Sequence, residues 1–141
     1  MIIMVSACLL GHKCKYNGGD NYSERVADFV KGHEIIPVCP EVEGGLPIPR
    51  IPCEIVNGIV TNKLGESKDK EFRSGAEKCL QKAIDEKVDL AILQSRSPSC
   101  GVKQIYDGSF TGKLIEGKGV FAELLAENGI ETMDLSEFLE E

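Results

Sequence analysis

The sequence predicts a single α/β domain over residues 1–141: a Rossmann-like parallel sheet of about four strands, helices on both faces and small β-hairpin insertions. Two observations lead to this fold class. Four short apolar segments, rich in β-branched residues, alternate with longer segments of helical periodicity. Strands joined through a helix pair in parallel, because the crossover returns the chain to the same edge of the sheet. A length of 141 residues suits one core.

The first part of the chain alternates strand, helix and strand. Residues 1–6 are predicted as a buried strand, 22–31 as a helix that ends at Gly32, and 34–38 as the second strand. Residues 40–52 contain four prolines and a Gly-Gly pair. Because proline cannot donate to a β-ladder, this segment is predicted to be an ordered irregular loop.

The second part continues the alternation and adds two hairpins. The first hairpin turns at Asn57-Gly58, a strong signal for a two-residue turn. The second turns within residues 105–113, where Asp107-Gly108 and Gly112 favour turns. The remaining predicted elements are a helix over 67–86, a strand over 88–93, a helix over 119–128, a strand over 130–133 and a helical turn over 135–139.

Composition narrows the classes of function. The net charge is −7, which disfavours a protein that grips long nucleic acid or an anionic membrane through charge, and favours a small-molecule partner. The longest apolar runs, 1–5 and 88–93, are far below the roughly 20 residues of a membrane span. Val5-Ser6-Ala7-Cys8 resembles a lipoprotein cleavage box, but no basic region and no apolar stretch of signal-peptide length precede it. We therefore expect a cytoplasmic protein with no membrane partner.

The six cysteines are expected to be free thiols, since a chain with its own core needs no disulfides and a reducing compartment keeps thiols reduced. No Cys-x-x-Cys pair occurs, which removes the strongest signals for a zinc ribbon or a thioredoxin-like redox site. Cys79 lies on the apolar face of the predicted helix 67–86 and is interpreted as a packing residue. The two histidines, His12 and His33, show no ligand spacing.

Three cysteines each follow a predicted strand: Cys8, Cys39 and Cys100. Parallel strands end at one edge of the sheet, where ligands bind in such folds, so the fold is expected to gather these three thiols. Three thiolates without an obvious fourth ligand describe a metal centre with one open position. Thiolates select zinc, copper(I) or iron–sulfur clusters, and the residues alone leave these alternatives open.

Four segments together resemble the thiouracil desulfidase family: SACLLG, PVCPEVEGGLPIPRIPCE, SPSCG and IYDGSF. They occur in order over nearly the whole chain. The resemblance implies a 4Fe-4S cluster with one iron not ligated by cysteine, and a non-redox, hydrolytic removal of sulfur from thiolated uracil as hydrogen sulfide. By position, Cys8, Cys39 and Cys100 match the cluster ligands, Glu41 matches the catalytic carboxylate, and Ser97 matches an active-site serine.

Alternatives remain for the individual residues. Glu41 could be an ordinary loop carboxylate, and Ser97 a turn residue before proline. Cys14 and Cys53 are interpreted as packing thiols near the site. Arg50 and the Gly44-Gly45 backbone could form an anion-binding nest, or they could belong to a loop that the prolines brace. Tyr106 and Asp107 could each line the pocket or only build the hairpin.

Two other functions compete with the desulfidase. The first is a non-catalytic protein that binds a metal or an iron–sulfur cluster through cysteine. The second is a thiol redox enzyme, which the missing Cys-x-x-Cys disfavours. For a desulfidase, the expected substrate is a thiolated nucleobase or nucleoside, and thiolated RNA is less favoured because of the net negative charge.

Overall fold

The computed structural model describes residues 1–139. Its strands are β1 (Ile2–Ser6), β2 (Glu34–Val38), β3 (Cys53–Val56), β4 (Ile59–Asn62), β5 (Leu90–Leu93), β6 (Gln104–Tyr106), β7 (Leu114–Glu116) and β8 (Glu131–Asp134). Its helices are α1 (Glu24–Val30), α2 (Pro40–Glu43), α3 (Asp69–Asp85), α4 (Val120–Glu127) and α5 (Ser136–Leu139), and a 3₁₀ turn spans Ala7–Leu10. Most predicted elements are present, with ends that differ by at most three residues.

The main sheet has four parallel strands, which confirms the predicted parallel sheet, and the structure shows their order to be β2-β1-β5-β8. The register pairs Ser6 with Val38 and Leu93 with Asp134, so all four strands end at the same edge. The chain adds β2 on one side of β1 and β5 on the other side. The point between β1 and β5 is therefore a topological switch point, where parallel α/β sheets open a crevice for ligands. Pro37 fits in β2 because that strand is at the sheet edge.

Helices cover both faces of the sheet, which confirms the predicted layers. On one face, α3 and α4 bury Phe72 and Phe121 against the sheet, and Cys79 of α3 is 2% exposed in the same cluster. On the other face, α1 buries Val26 and Val30 against β1 and β5. Burial of such side chains stabilises the fold by roughly 1.5–3 kcal/mol each.

Both predicted hairpins form, and each carries left-handed backbone where its turn needs it. The first pairs β3 with β4 through Asn57 (φ 50°) and Gly58 (φ 80°). The second pairs β6 with β7 around the loop 107–113. Glu54 joins the hairpins, because its Oε1 accepts hydrogen bonds from the backbone of Gly108 and Phe110 at 3.0 and 3.1 Å.

One prediction for residues 40–52 was wrong at its start. Pro40–Glu43 forms the short helix α2 instead of irregular loop. Proline has no N–H to lose at the first turn of a helix, and its fixed φ suits that position, so Pro40 begins a helix. Gly44 allows α2 to lie close to α3, because a Cβ there would be 2.0 Å from the carbonyl oxygen of Glu71.

Within residues 1–139, no helix has both the length and the apolar character that crossing a bilayer requires.

Candidate active site

A cavity of about 530 Å³ opens at the edge where the parallel strands end. Its wall comes from the segments that follow β1, β2 and β5, together with parts of both hairpins. Five of the six cysteines line it: Cys8, Cys14, Cys39, Cys53 and Cys100. The sixth, Cys79, lies in the helical layer. The cavity is large enough for a cofactor or for a small ligand of nucleobase size.

The structure brings Cys8, Cys39 and Cys100 to this one cavity from three separate strand ends. Cys8 lies in the 3₁₀ turn after β1, and Cys39 is the N-cap residue of α2. Cys100 follows β5 in the loop 94–101 and is 5% exposed. Their convergence is a consequence of the parallel sheet, because 31 and 61 residues separate them along the chain.

Polar groups surround these sulfurs. The Asn21 amide donates to Cys8 Sγ at 3.6 Å, and the Ser99 hydroxyl donates to Cys100 Sγ at 3.6 Å. A hydrogen bond from Cys14 lowers the pKa of the Cys8 thiol. Burial raises the pKa of Cys100 to about 12, against the hydrogen bonds from Ser6 and Ser99. These donors stabilise negative charge on the sulfurs of Cys8 and Cys100, as thiolate ligands need. The Cys39 thiol differs, because its hydrogen bond with Cys14 and its burial raise its pKa.

The donor set fits an iron–sulfur cluster better than a single metal ion. Within residues 1–139, no three His, Cys, Asp or Glu side chains are grouped closely enough to hold one ion. A single zinc ion requires all its sulfur ligands within about 2.3 Å of one point. A cluster spreads its irons over a larger volume and takes one thiolate at each, so cysteines from three separate loops around one cavity suit it.

Glu41 lies in the first turn of α2, two residues beyond Cys39, and both its carboxylate oxygens are engaged. Oε1 accepts from Arg50 Nε at 3.0 Å, and Oε2 accepts from the Ser99 hydroxyl at 2.9 Å. The side chains of Arg50 and Glu41 are only 7% and 16% exposed. This charged, hydrogen-bonded pair holds the carboxylate in one orientation at the cavity wall.

Arg50 braces the cysteine loops, and the anion-nest interpretation is wrong. Its guanidinium donates to Glu41, to the carbonyl of Cys14 at 2.9 Å and to the carbonyl of Pro47 at 3.2 Å. Its backbone N–H donates to the carbonyl of Tyr16 at 2.7 Å. The guanidinium therefore ties three parts of the chain together instead of binding a ligand anion, and Gly44 is required by helix packing.

Ser97 lines the cavity and also shapes the loop before Cys100. Its hydroxyl oxygen accepts hydrogen bonds from the backbone N–H groups of Ser99 and Cys100, each at 3.1 Å. The same oxygen lies 2.9 Å from Ser99 Oγ. Ser97 thus has the contacts of a turn residue and is also linked, through Ser99, to Glu41.

Sequence reasoning missed Ser99. Ser99 is 2% exposed, donates to Glu41 and to Cys100 Sγ, and is the residue that connects the carboxylate with the cysteine loop. The available signal was its position next to Cys100. Its contact with Glu41 spans 58 residues of sequence and depends on how two loops meet.

The remaining candidates divide between the cavity and the hairpins. Cys14, Cys53 and Tyr106 line the cavity, and burial raises the pKa of Cys53 to about 11. Asp107 is not part of the wall. Its Oδ1 accepts from the backbone N–H of Ser109, so it shapes the turn of the second hairpin.

Comparison with known proteins agrees with this geometry. Residues 3–137 match the 2-thiouracil desulfurase family. The chain belongs to this family. This confirms the resemblance seen in the four sequence segments.

Relatives of this desulfurase family member cover almost its whole length. It is 36% identical to the uncharacterized protein YbbK of Bacillus subtilis (strain 168), over 96% of this chain and 97% of YbbK. It is also similar to the solved structure of the [4Fe-4S]-dependent thiouracil desulfidase TudS (DUF523Vcz). That match has a TM-score of 0.90 and 36% identity, and covers 96% of this chain and 91% of that one.

Proposed function

We propose that this protein is a [4Fe-4S]-dependent thiouracil desulfidase that removes sulfur from a thiolated uracil base by hydrolysis and without redox chemistry. The observation that carries the proposal is the convergence of Cys8, Cys39 and Cys100 with Glu41 on one cavity, in a chain of the 2-thiouracil desulfurase family. The likeness to TudS supports the cofactor and the substrate class.

Cys8, Cys39 and Cys100 would hold the cluster, which leaves one iron without a cysteine ligand. When bound, the cluster supplies a soft Lewis-acidic iron suited to a thiocarbonyl sulfur. Cys14 and Cys53 border the same cavity and are proposed to pack around the ligands instead of binding iron.

Glu41 is the proposed general base. The reaction replaces the C=S bond of the base by C=O: water supplies the oxygen, its two protons leave with the sulfur as hydrogen sulfide, and no electrons are exchanged. Glu41 Oε1 stays paired with Arg50, and Oε2 accepts from Ser99 with one of its two lone pairs. The other lone pair of Oε2 is proposed to accept a proton from the attacking water.

Ser97 and Ser99 provide a path for that proton. Ser99 donates to Glu41 Oε2 at 2.9 Å, and its oxygen lies 2.9 Å from Ser97 Oγ. A proton taken up at Glu41 can therefore move along two hydroxyls that lie in or behind the cavity wall. Ser97 is proposed as the catalytic serine at the cavity end of this path.

A small-molecule substrate suits the site. A cavity of about 530 Å³ takes a thiolated nucleobase or nucleoside. Five basic residues lie near the cysteine loops in the sequence: Lys13, Lys15, Arg50, Arg96 and Lys103. Arg50 already pairs with Glu41, which weakens the case for thiolated RNA. We also propose a cytoplasmic location, where reducing conditions keep the free thiols available for iron.

The decisive experiment is anaerobic reconstitution followed by turnover of 2-thiouracil without any reductant. We expect about four irons per chain, equal amounts of uracil and sulfide, and ¹⁸O in the uracil when the water is labelled. Cys39→Ala serves as the cluster-free control. A fully loaded protein that releases no sulfide from thiolated uracils would instead identify a non-catalytic cluster protein.

A further inference from the structure

Cys14 contacts two of the proposed cluster ligands, although it is not proposed to bind iron itself. Its thiol donates a hydrogen bond to the Cys8 sulfur and accepts one from the Cys39 thiol. The Cys39 thiol also reaches the carbonyl oxygen of Cys14, at 4.0 Å. The three sulfurs therefore form a hydrogen-bonded chain with Cys14 in the middle. Thiols in direct contact can be joined as a disulfide once an oxidant removes two electrons from them.

Cys8 and Cys14 differ in how well a small molecule can reach them. Cys8 is half-buried in the cavity wall, whereas Cys14 is buried, with 9% of its surface exposed. An oxidant that enters the cavity therefore meets Cys8 more readily than Cys14. An accessible cysteine beside a second, sheltered cysteine is the arrangement of a reactive thiol with its resolving thiol.

The backbone favours Cys8 over Cys39 as the partner of Cys14. Cys8 and Cys14 are in one compact turn, which is closed by hydrogen bonds from His12 N to the carbonyl of Ala7 and from Cys14 N to the carbonyl of His12. Cys39 instead begins a separate element, since it is the N-cap residue of α2. A short connection keeps its two ends near each other at a low entropic cost, so Cys8 and Cys14 stay neighbours even if the loops loosen.

We propose that Cys14 is a resolving thiol that forms a reversible disulfide with Cys8 after oxidative loss of the cluster. The oxidant is hydrogen peroxide: the Cys8 sulfur attacks one peroxide oxygen, the O–O bond breaks, and a sulfenic acid and water form. The Cys14 sulfur then attacks the Cys8 sulfur, the S–O bond breaks, and the hydroxyl leaves as water with the proton of Cys14. Peroxide thus takes one electron pair from the two thiols, and a dithiol reductant returns it.

The disulfide would protect a proposed iron ligand from permanent damage. A sulfenic acid without a neighbouring thiol is oxidised further to sulfinic and sulfonic acids, which thiol reductants do not reverse. Pairing with Cys14 stops the oxidation of Cys8 at a reducible stage. This role is separate from the desulfidase activity, because it depends on thiol contacts alone and can be tested in a protein that releases no sulfide.

The test begins with the anaerobically reconstituted holoprotein. Hydrogen peroxide is added with a chelator, which removes the released iron, until the visible absorption of the cluster is lost. The remaining thiols are then alkylated and the protein is digested with trypsin. Lys13 lies between Cys8 and Cys14, so trypsin places the two cysteines in different peptides. We expect mass spectrometry to find these peptides joined, and dithiothreitol to separate them.

Two variants test the protective role. In Cys14→Ser, we expect Cys8 to be recovered as sulfinic and sulfonic acid, and the protein to lose its capacity to take up iron again after treatment with dithiothreitol. Cys53→Ser is the matched control, because Cys53 also lines the cavity but its thiol donates to the carbonyl of Ile51 at 3.7 Å. It should form the same disulfide and take up iron again as the wild type does.

The inference is overturned if Cys14 remains a free thiol in the oxidised wild type, or if it is joined to a cysteine other than Cys8. Equal recovery of iron by Cys14→Ser and by the wild type would also overturn it, since Cys8 would then need no resolving thiol. The peptide map of the wild type decides the pairing even if Cys14→Ser does not load iron.

Discussion

The cavity can be compared with the rest of the molecule through two pairs of chemically similar side chains. Cys100 and Cys79 are both buried thiols whose pKa burial raises to about 12. Glu41 and Asp134 are both carboxylates that accept a serine hydroxyl. Of these four residues, Cys100 and Glu41 line the cavity at the strand ends, and Cys79 and Asp134 do not. Residue type and burial therefore do not identify the residues of the candidate active site. Their position at the carboxyl ends of the parallel strands does.

The two carboxylates differ in what surrounds them. Asp134 is 2% exposed at the end of β8 and accepts from Ser95 Oγ at 2.6 Å and from the backbone N–H of Val102 and Ser136 at 3.2 and 3.0 Å. Burial opposes its charge, but these hydrogen bonds lower its pKa overall. Asp134 thus ties the end of the loop 94–101 to the sheet. Glu41 instead lies beside the Arg50 guanidinium and has a carboxylate oxygen at the cavity wall.

The largest expected effect comes from the cysteine pair. Cys100→Ala removes a proposed cluster ligand and should abolish the iron content and the brown colour of the reconstituted protein. Iron and sulfide assays with the visible absorption spectrum measure this. Cys79→Ala is the control, because it removes a buried thiol of equal size and raised pKa and should keep the cluster. Loss of iron from Cys79→Ala alone would show that the ligands are assigned wrongly.

The second largest effect is expected from the carboxylate pair, Glu41 and Asp134. Glu41→Gln keeps an oxygen for Arg50 but cannot take up the proton, so sulfide release from 2-thiouracil should fall by about 10²- to 10⁴-fold. The iron content should remain at the wild-type level. The measurement is kcat/KM for sulfide release at matched iron loading. Turnover close to that of the wild type would assign the base to another group.

Asp134→Asn is the matched control for that substitution. It leaves at least one donor without an acceptor and should cost about 1–3 kcal/mol of unfolding free energy, with kcat changed little. Since the pKa of Asp134 is lowered in the folded state, the stabilisation it provides is present above its unfolded pKa of about 3.9. The stability difference between wild type and variant should therefore shrink as the pH falls through the lowered pKa.

The sequence was sufficient for the sheet and for the cysteines that follow its strands, since both depend on local patterns. Apolar β-branched runs predict β1 and β5, and Asn57-Gly58 predicts its hairpin because few other dipeptides adopt two successive positive φ values. The hydrogen bonds of the site were not predictable in this way. Ser99 meets Glu41 across 58 residues, and whether Arg50 binds an anion or a carbonyl depends on loop positions that no short pattern specifies.

The smallest expected effect tests the serine that sequence reasoning missed. Ser99→Ala removes the hydroxyl that donates to Glu41 Oε2 and to Cys100 Sγ. We expect sulfide release to fall by about tenfold, the size of one lost hydrogen bond to a charged group. Because hydrogen bonds to ligand sulfurs raise the reduction potential of a cluster, that potential should also become more negative, which anaerobic redox titration measures.

Ser95→Ala is the control for Ser99→Ala, because Ser95 lines the same cavity but its hydroxyl donates to Asp134 and not to Glu41 or Cys100. It should leave both turnover and potential unchanged while it lowers the melting temperature. If Ser99→Ala slowed turnover without moving the potential, the serine would act on Glu41 alone. If it changed neither, the hydrogen bonds of Ser99 would only pack the loop, and the proton path would have to run from Glu41 directly to the cavity.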